Sequence, residues 1–225
     1  MKQRDVAQMI DISAVRTHNG ISDIEEIVAY AKQYSFINVH VLPSWISTLS
    51  AMIKDVSDVY VGSPCGFPGG AHKTATKLVE ASQMIADGVE EMDIVMNVGR
   101  FKSGEYKYVL DEVKQIVAVA KNCGRKIMTK ILIELNCLTD EELPKACEIV
   151  IASGADFLKT GTGWVPGDAN IERIRKIKQI VGNNVKIKAA GGIRTREEFD
   201  KLYDIGVERF GINTKSAIEI VNTFE

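Results

Sequence analysis

Short apolar runs alternate with longer amphipathic segments from one end of the chain to the other. Most of the runs are apolar at nearly every position, which is typical of parallel strands covered by helices. The segments between them place apolar side chains three and four residues apart, the spacing of a buried helix face. The first five predicted strands span residues 9–13, 37–42, 59–62, 91–98 and 126–134, the sixth and seventh carry Lys159 and Lys188, and the eighth spans 209–213.

Helices are predicted between these strands, and three of them follow a capping box. In a capping box a Ser or Thr is followed three residues later by Glu, and each side chain satisfies an unpaired backbone N–H. The three pairs are Ser22 with Glu25, Thr139 with Glu142, and Thr195 with Glu198. Further helices are predicted at 45–53, 74–87, 104–122, 170–180 and 215–221.

Eight strand–helix units in 225 residues fit a (β/α)8 TIM barrel, an α/β fold, and predict a single domain over residues 1–225. A doubly wound open sheet is the alternative. It is less favoured because no G-x-G-x-x-G sequence follows the first predicted strand.

The composition argues against several classes of function. Hydrophobic residues make up 45% of the chain, and the formal net charge is −2. A chain with dispersed charges of both signs is not typical of a protein that binds nucleic acid or a membrane surface. No apolar run approaches the ~20 residues of a membrane span, and the first residues do not resemble a signal peptide. With four cysteines and no CxxC pair, we expect a cytoplasmic protein with reduced thiols.

Two lysines lie in apolar strands and are followed by glycines, Lys159 in the sixth strand and Lys188 in the seventh. Burial and a neighbouring positive charge both lower the pKa of a lysine. Since a neutral amine attacks carbonyl carbons, the pair predicts chemistry through a Schiff base. Lys186 shares the face of Lys188 but lies farther from the C-terminal end of its strand, so Lys188 is the better candidate.

Polar residues late in the strands converge if the fold is a TIM barrel, because active sites lie at the C-terminal strand ends. These residues are Asp11, Ser13, His40, Asp93, Asn97, Lys130, Glu134, Lys159, Lys188 and Asn213. Taken singly, each has an ordinary explanation, such as an ion pair or a lysine that extends to solvent. Together they supply a nucleophile, a second cation and carboxylates that move protons, the components of a Schiff-base aldolase.

Glycines after the last three predicted strands indicate a phosphate site. They are Gly161, Gly163, Gly191, Gly192 and Gly211. TIM barrels commonly bind phosphate near their last two loops through backbone N–H groups, and glycine lets the backbone approach the anion closely. Tight turns without a ligand are the alternative.

Four stretches make the sequence similar to a known family over nearly its whole length. They are Gly66-Phe67-Pro68-x-Gly70-Ala71, EMDIVMNVG at 91–99, FLKTGTG at 157–163 and VKIKAAGGIRT at 185–195. They resemble the 2-deoxyribose-5-phosphate aldolases of the DeoC type, class I aldolases on a TIM barrel. The resemblance implies reversible cleavage of 2-deoxy-D-ribose 5-phosphate to acetaldehyde and D-glyceraldehyde 3-phosphate without a metal or other cofactor. It also suggests a homodimer.

The resemblance implies roles for individual residues. Lys159 corresponds to the Schiff-base lysine, and Lys188 to the second lysine that keeps it neutral. Asp93 corresponds to the carboxylate of the proton relay, and Asp11 to the aspartate that pairs with the second lysine. The implied substrate- and phosphate-binding residues are Ser13, Thr162, Gly163, Gly191, Gly192, Asn213 and Thr214.

The chain departs from the family in its substrate loops. The family usually has Cys followed by Asn-Pro or Tyr-Pro in the second strand, where this chain has His40-Val41-Leu42-Pro43. The other differences are DISAV for Asp-x-Thr-Leu-Leu at 11–15, GAHKT for Gly-Ala-Asn-Thr-Thr at 70–74, Asn213-Thr214 for Ser-Ser, and Phe224 as the last aromatic residue where many members have a tyrosine tail.

These departures leave two alternatives open. One is an aldolase of the same superfamily that uses another carbonyl donor or sugar phosphate. The other is a barrel that binds a phosphosugar without turnover. A purely structural protein is disfavoured because it leaves the clustered buried charges unexplained.

Overall fold

Eight parallel strands close into a barrel. The computed structural model of the chain describes residues 1–167 and 170–225. In these residues each strand pairs with the next, and the last pairs with the first through Ile10–Phe210 and Asp11–Gly211. The TIM-barrel prediction is confirmed, and the open-sheet alternative is wrong. Strands β1–β8 span Ile10–Ala14, Asn38–Val41, Tyr60–Cys65, Glu91–Val95, Met128–Leu132, Phe157–Lys159, Lys186–Ala190 and Arg209–Gly211.

Helices follow every strand and surround the barrel. Helices α1–α10 span Gln3–Ala7, Ile21–Tyr34, Ile46–Ile53, Thr74–Asp87, Val98–Lys102, Tyr106–Lys121, Leu143–Ser153, Ile171–Val181, Arg196–Ile205 and Thr214–Val221. Short 3₁₀ turns lie at Pro43–Trp45 and Leu135–Cys137. None of the helices in the described ranges combines the length and apolar character that crossing a bilayer requires.

The strands separate two chemically different environments. Successive side chains point to opposite faces of a strand, and the outward-pointing Ile12, Ile94 and Leu158 are fully buried beneath the helices. The interior is polar instead. Its buried polar residues are Asp11, Asn38, His40, Glu91, Asp93, Lys130, Lys159, Lys188 and Arg209. Branched apolar side chains dominate most barrel interiors, so this one is specialised to hold charge.

The start of α2 differs from the prediction. Ser22 and Glu25 do not form its capping box, because α2 begins at Ile21 and its N-cap is Gly20. The backbone N–H of Gly20 donates to Asp23 Oδ2 at 2.7 Å. An aspartate three residues after the cap therefore performs the function that was predicted for Glu25.

The other two predicted capping boxes have different outcomes. Thr195 is the N-cap of α9, and the pair with Glu198 is reciprocal, as predicted. The Thr139 N–H donates to Glu142 Oε2 at 2.7 Å, but α7 begins only at Leu143. The hydrogen bond is present, and the helix starts one turn later than the pair predicts.

Strand β4 is shorter than its apolar pattern predicts. It ends at Val95, and Asn97 is the N-cap of α5, where its side chain accepts from the Arg100 N–H at 3.1 Å. Asn97 therefore does not join Asp93 on the inner face of β4, and that prediction is wrong. The apolar residues 96 and 98 continue the strand pattern across a helix start.

A buried ion pair outside the barrel fixes the end of β4. Lys77 on α4 and Glu112 on α6 are fully buried, with Nζ and Oε1 2.7 Å apart. Lys77 Nζ also donates to the carbonyl oxygen of Val95 at 2.9 Å, and the Thr74 hydroxyl donates to Glu112 Oε2 at 3.0 Å. Two helices are thereby tied to the strand that carries Asp93.

We expect Lys77→Met to lower the free energy of unfolding by about 3–5 kcal/mol, because it leaves the Glu112 carboxylate buried without its partner. The double variant Lys77→Met/Glu112→Leu should recover most of that loss, because it removes both buried charges. Urea unfolding of the three proteins measures both effects. If the single variant loses less than about 1 kcal/mol, the pair does not stabilise this end of the barrel.

Candidate active site

Two lysines meet at one carboxylate inside the barrel. The register of β6 and β7 pairs Lys159 directly with Lys188, so their side chains point inward at the same height. Both Nζ atoms lie 2.8 Å from Asp93 Oδ2, and Asp93 is fully buried on β4. The structure therefore brings together the three residues that the sequence pattern selects.

Asp11 completes the environment of Lys188. Its Oδ2 atom lies 2.5 Å from Lys188 Nζ, and its Oδ1 atom lies 2.7 Å from a guanidinium nitrogen of Arg209. Asp11 lies on β1, which neighbours β8, so the barrel closure itself creates the contact between Asp11 and Arg209. The pairing of Asp11 with Lys188 has the geometry that the resemblance implies.

Below these residues a second group of charges supports the site. Glu91 contacts Arg209 at 2.6 Å and Lys130 Nζ at 2.5 Å. Lys130 Nζ also lies 3.3 Å from Asp93 Oδ1. Across both groups, the carboxylates of Asp11, Glu91 and Asp93 face the cationic side chains of Lys130, Lys159, Lys188 and Arg209. One lysine can therefore lose its proton without leaving a buried carboxylate unpaired.

Burial and charge set the protonation of the site. Burial by itself would raise the pKa of Asp93, but the neighbouring His40, Lys130 and Lys159 outweigh it and hold this pKa well below its ordinary value. Burial is also the main cause that lowers the pKa of Lys188 to about 8, although Asp11 and Asp93 oppose the shift. Lys188 can therefore exchange a proton with its neighbours near neutral pH.

His40 lies beside Asp93 at the end of β2. Its Nε2 atom is 3.0 Å from Asp93 Oδ2, and its Nδ1 atom contacts the side-chain amide of Asn38. Burial is the main cause that lowers the pKa of His40 to about 4, although Asp93 opposes the shift. The imidazole is therefore neutral at neutral pH.

This lowered pKa predicts an acid sensitivity. Because the folded pKa of His40 is about 4 and its ordinary value is 6.5, the unfolded chain binds more protons between these values, and stability falls as the pH falls. From about pH 7 to about pH 5 we expect His40 to remove about 2 kcal/mol of unfolding free energy. His40→Gln should lose correspondingly less over the same range, as measured by urea unfolding. Equal losses in the two proteins would contradict this prediction.

A cavity of about 580 Å³ opens above the two lysines. Its floor includes Asp11, His40, Lys159 and Lys188. Its walls and mouth include Ser13, Arg16, Pro64, Phe67, Thr162, Gly163, Trp164, Gly191, Gly192, Arg194 and Asn213. Arginines at the mouth and lysines at the floor make the cavity suitable for an anionic substrate.

Four of the five glycines predicted to form a phosphate site line this cavity, namely Gly163, Gly191, Gly192 and Gly211, whereas Gly161 is not among its lining residues in the described part of the chain. Gly163, Gly191 and Gly192 have φ angles of +73°, +92° and +85°, values that L side chains rarely adopt. A Cβ on Gly163 would meet no atom within 4 Å, so the backbone there is open to a ligand. Glycine at these three positions is therefore required by the backbone conformation of the loops.

The other predicted binding residues have mixed placements. Ser13 and Thr162 line the cavity, but the Thr162 hydroxyl already donates to Glu134 Oε2 at 2.5 Å. Asn213 also lines it, although β8 ends at Gly211 and Asn213 is the N-cap of α10 rather than a strand residue. The cavity-lining residues in the described part of the chain do not include Thr214.

Comparisons with known proteins agree with this geometry. The model of the DeoC/LacD family aldolases matches residues 53–211. The chain belongs to this aldolase family. A deoxyribose-phosphate aldolase of Rhizobium meliloti (strain 1021) is 42% identical over 219 residues, covering 97% of this chain and 86% of that protein. One from Carboxydothermus hydrogenoformans is 39% identical and covers 96% and 93%. A deoxyribose phosphate aldolase structure from Aeropyrum pernix, described as tetrameric, has a TM-score of 0.88 at 26% identity and covers 99% and 92%.

Three charged residues of the site, Arg209, Glu91 and Arg16, were not predicted from the sequence. Arg209 and Glu91 begin their strands, and the period of two that places Asp93 inward also places Glu91 inward. Arg16 lies just after β1, where it donates to the Gly163 carbonyl oxygen at 3.2 Å, and its guanidinium carbon lies 5.6 Å from the centre of the Trp164 ring. Because Arg16 lies in a loop, the periodicity of strands and helices gives no indication that its side chain reaches the site.

Proposed function

We propose that this aldolase reversibly cleaves 2-deoxy-D-ribose 5-phosphate to acetaldehyde and D-glyceraldehyde 3-phosphate, with Lys159 as the Schiff-base nucleophile. One observation carries the proposal. Lys159 and Lys188 share a single oxygen of Asp93 on the floor of the cavity, which places a nucleophile beside groups that can move its protons.

The choice of substrate rests on the mouth of the cavity and on the relatives. Arg16 and Arg194 line the mouth together with the glycine loops, and this combination suits a phosphate group. The relatives named deoxyribose-phosphate aldolase match almost the whole chain. The phosphate would lie among Gly163, Gly191 and Gly192, and the aldehyde carbon would point down toward Lys159.

The first half of the reaction forms the iminium. The amine of Lys159 attacks C1 of the open-chain sugar, and its proton passes through Asp93, 2.8 Å away, to the C1 oxygen. Lys188 then supplies a proton through the same carboxylate or a water molecule, and the C1 hydroxyl leaves as water. The resulting iminium is the electron sink for the next step.

The second half breaks the carbon–carbon bond. The C3 hydroxyl gives its proton to a water molecule and becomes the new carbonyl group, while the electron pair of the breaking C2–C3 bond moves into the iminium to give an enamine. D-Glyceraldehyde 3-phosphate leaves. Protonation of the enamine at C2 and addition of water then release acetaldehyde and restore the amine of Lys159.

A panel of sugar phosphates tests this function. We expect cleavage of 2-deoxyribose 5-phosphate, detected as glyceraldehyde 3-phosphate in a coupled assay, and much weaker cleavage of unphosphorylated deoxyribose. Cleavage of another sugar phosphate alone would favour the diverged aldolase. Binding without cleavage of any sugar phosphate would favour the barrel without turnover. The homodimer and the cytoplasmic location stay predictions, and light scattering of the purified protein tests the first.

A further inference from the structure

We propose that His40 is a further catalytic residue of this aldolase, whose Nε2–H donates a hydrogen bond to the substrate oxygen on the carbon that Lys159 attacks. The inference rests on the proposed Schiff-base function and adds a group to it. It also concerns a position where the resembled family usually has cysteine and this chain has histidine.

The position of Nε2 carries the proposal. His40 lines the cavity floor and is only 4% exposed. Its Nε2 atom and Lys159 Nζ lie 3.0 Å and 2.8 Å from the same atom, Asp93 Oδ2. A carbon bonded to Lys159 Nζ would carry its oxygen into this same space. The C1 oxygen is therefore the substrate atom nearest to the imidazole.

The Nε2 atom is available to a substrate. Despite its short distance to Asp93 Oδ2, it is not aligned for a hydrogen bond there, and within the described residues it has no other partner. A buried polar nitrogen without a partner is costly. An oxygen of the bound substrate would satisfy it, and a donor there would stabilise the negative charge that develops when the amine attacks the carbonyl.

The tautomer follows from the neighbours. An Nε2 lone pair would repel the Asp93 carboxylate oxygen 3.0 Å away, so Nε2 carries the proton although the two atoms are not aligned for a hydrogen bond. A neutral imidazole has one N–H, and Nδ1 is then an acceptor. Asn38 must therefore present its amide nitrogen to Nδ1. A half-turn of the Asn38 amide achieves this and gives a partner to Nδ2, which otherwise has none in the described part of the chain.

Strand β3 is also adapted to the imidazole. The register pairs His40 with Gly62, and a Cβ on Gly62 would lie 2.3 Å from His40 Nδ1 and 2.5 Å from Asn38 Oδ1. Any side chain at this position would displace the ring. Because Gly62 has no side chain, it leaves the space that the side chains of Asn38 and His40 occupy beside the site.

The test compares three variants with the wild-type enzyme. We expect His40→Leu to lower kcat for deoxyribose 5-phosphate by about 10- to 100-fold with KM within about twofold, because the donor acts on the transition state. His40→Gln retains an N–H at a similar reach and should recover much of this loss. Gly62→Ala should lower kcat without removing the imidazole. The control is Lys107→Leu on the outer helix α6, where the side chain is 87% exposed, and it should behave as the wild type.

A second measurement does not depend on turnover or on a variant that folds. Nitrogen-15 NMR of the wild-type histidines should show His40 as the neutral Nε2–H tautomer at neutral pH. An Nδ1–H tautomer, or a His40→Leu variant with unchanged kcat, would overturn the assignment. If the wild type cleaves no sugar phosphate, the proposed function fails. The NMR measurement then still shows which ring nitrogen of His40 carries the proton.

Discussion

Lys159→Leu is expected to abolish cleavage of deoxyribose 5-phosphate, with kcat/KM lower by at least about 10⁴-fold. Leucine fills similar space but cannot form the covalent intermediate. The fold should remain, because Asp93 keeps contacts with Lys188 and Lys130. The coupled assay measures the loss, and urea unfolding should show a free energy within about 1 kcal/mol of the wild type.

Lys186→Leu is the matched control for this variant. Lys186 lies on the same strand as Lys188, but its side chain is 60% exposed and contacts Glu208 at 3.2 Å. The Lys186→Leu variant should retain full activity. Full activity of Lys159→Leu would refute the assignment of the nucleophile, whatever the effect of the control.

Asp93→Asn is expected to damage both stability and activity. The carboxylate faces the Nζ atoms of three lysines, at 2.8 Å from Lys159 and Lys188 and 3.3 Å from Lys130. An amide cannot balance these charges, so we expect the free energy of unfolding to fall by about 3–5 kcal/mol. The folded fraction should also lose at least about 10³-fold in kcat, because protons no longer pass between Lys159 and Lys188.

Asp58→Asn is the control for Asp93→Asn, because it makes the same change of charge at an exposed position and so shows how much of the loss of stability is due to burial. Asp58 contacts Arg4 at 2.7 Å, yet both side chains are largely exposed, and surface pairs contribute little to stability. This variant should unfold at nearly the same urea concentration as the wild type. If Asp93→Asn were equally harmless, the buried network would not hold the barrel interior together.

Much of the fold and the centre of the site could be predicted from the sequence. The alternation of strands and helices predicts the barrel, and the convergence of strand ends in such a barrel brings Asp11, Asp93, Lys159 and Lys188 together. These predictions succeed because they depend on strand periodicity and on closure of the sheet. The pattern of polar and apolar residues along the chain indicates both.

The features that the sequence does not reveal depend on side-chain packing. Apolar residues continue the strand pattern across the helix starts at Asn97 and Asn213, so the two strands were predicted too long. Arg209 and Glu91, which form the lower charge group together with Lys130, were not predicted because they lie at strand entry positions, and such positions are often exposed. The fit of His40 against Gly62 is a contact between two strands, and no local pattern encodes it.

Trapping of the imine tests the central claim most directly. The protein is treated with acetaldehyde and borohydride, digested, and analysed by mass spectrometry. The proposed mechanism predicts an ethyl group on Lys159, and no ethyl group on any lysine of this site when Lys159→Leu is treated in the same way. An adduct on Lys188 instead, or no modified lysine after treatment with acetaldehyde and with deoxyribose 5-phosphate, would contradict it.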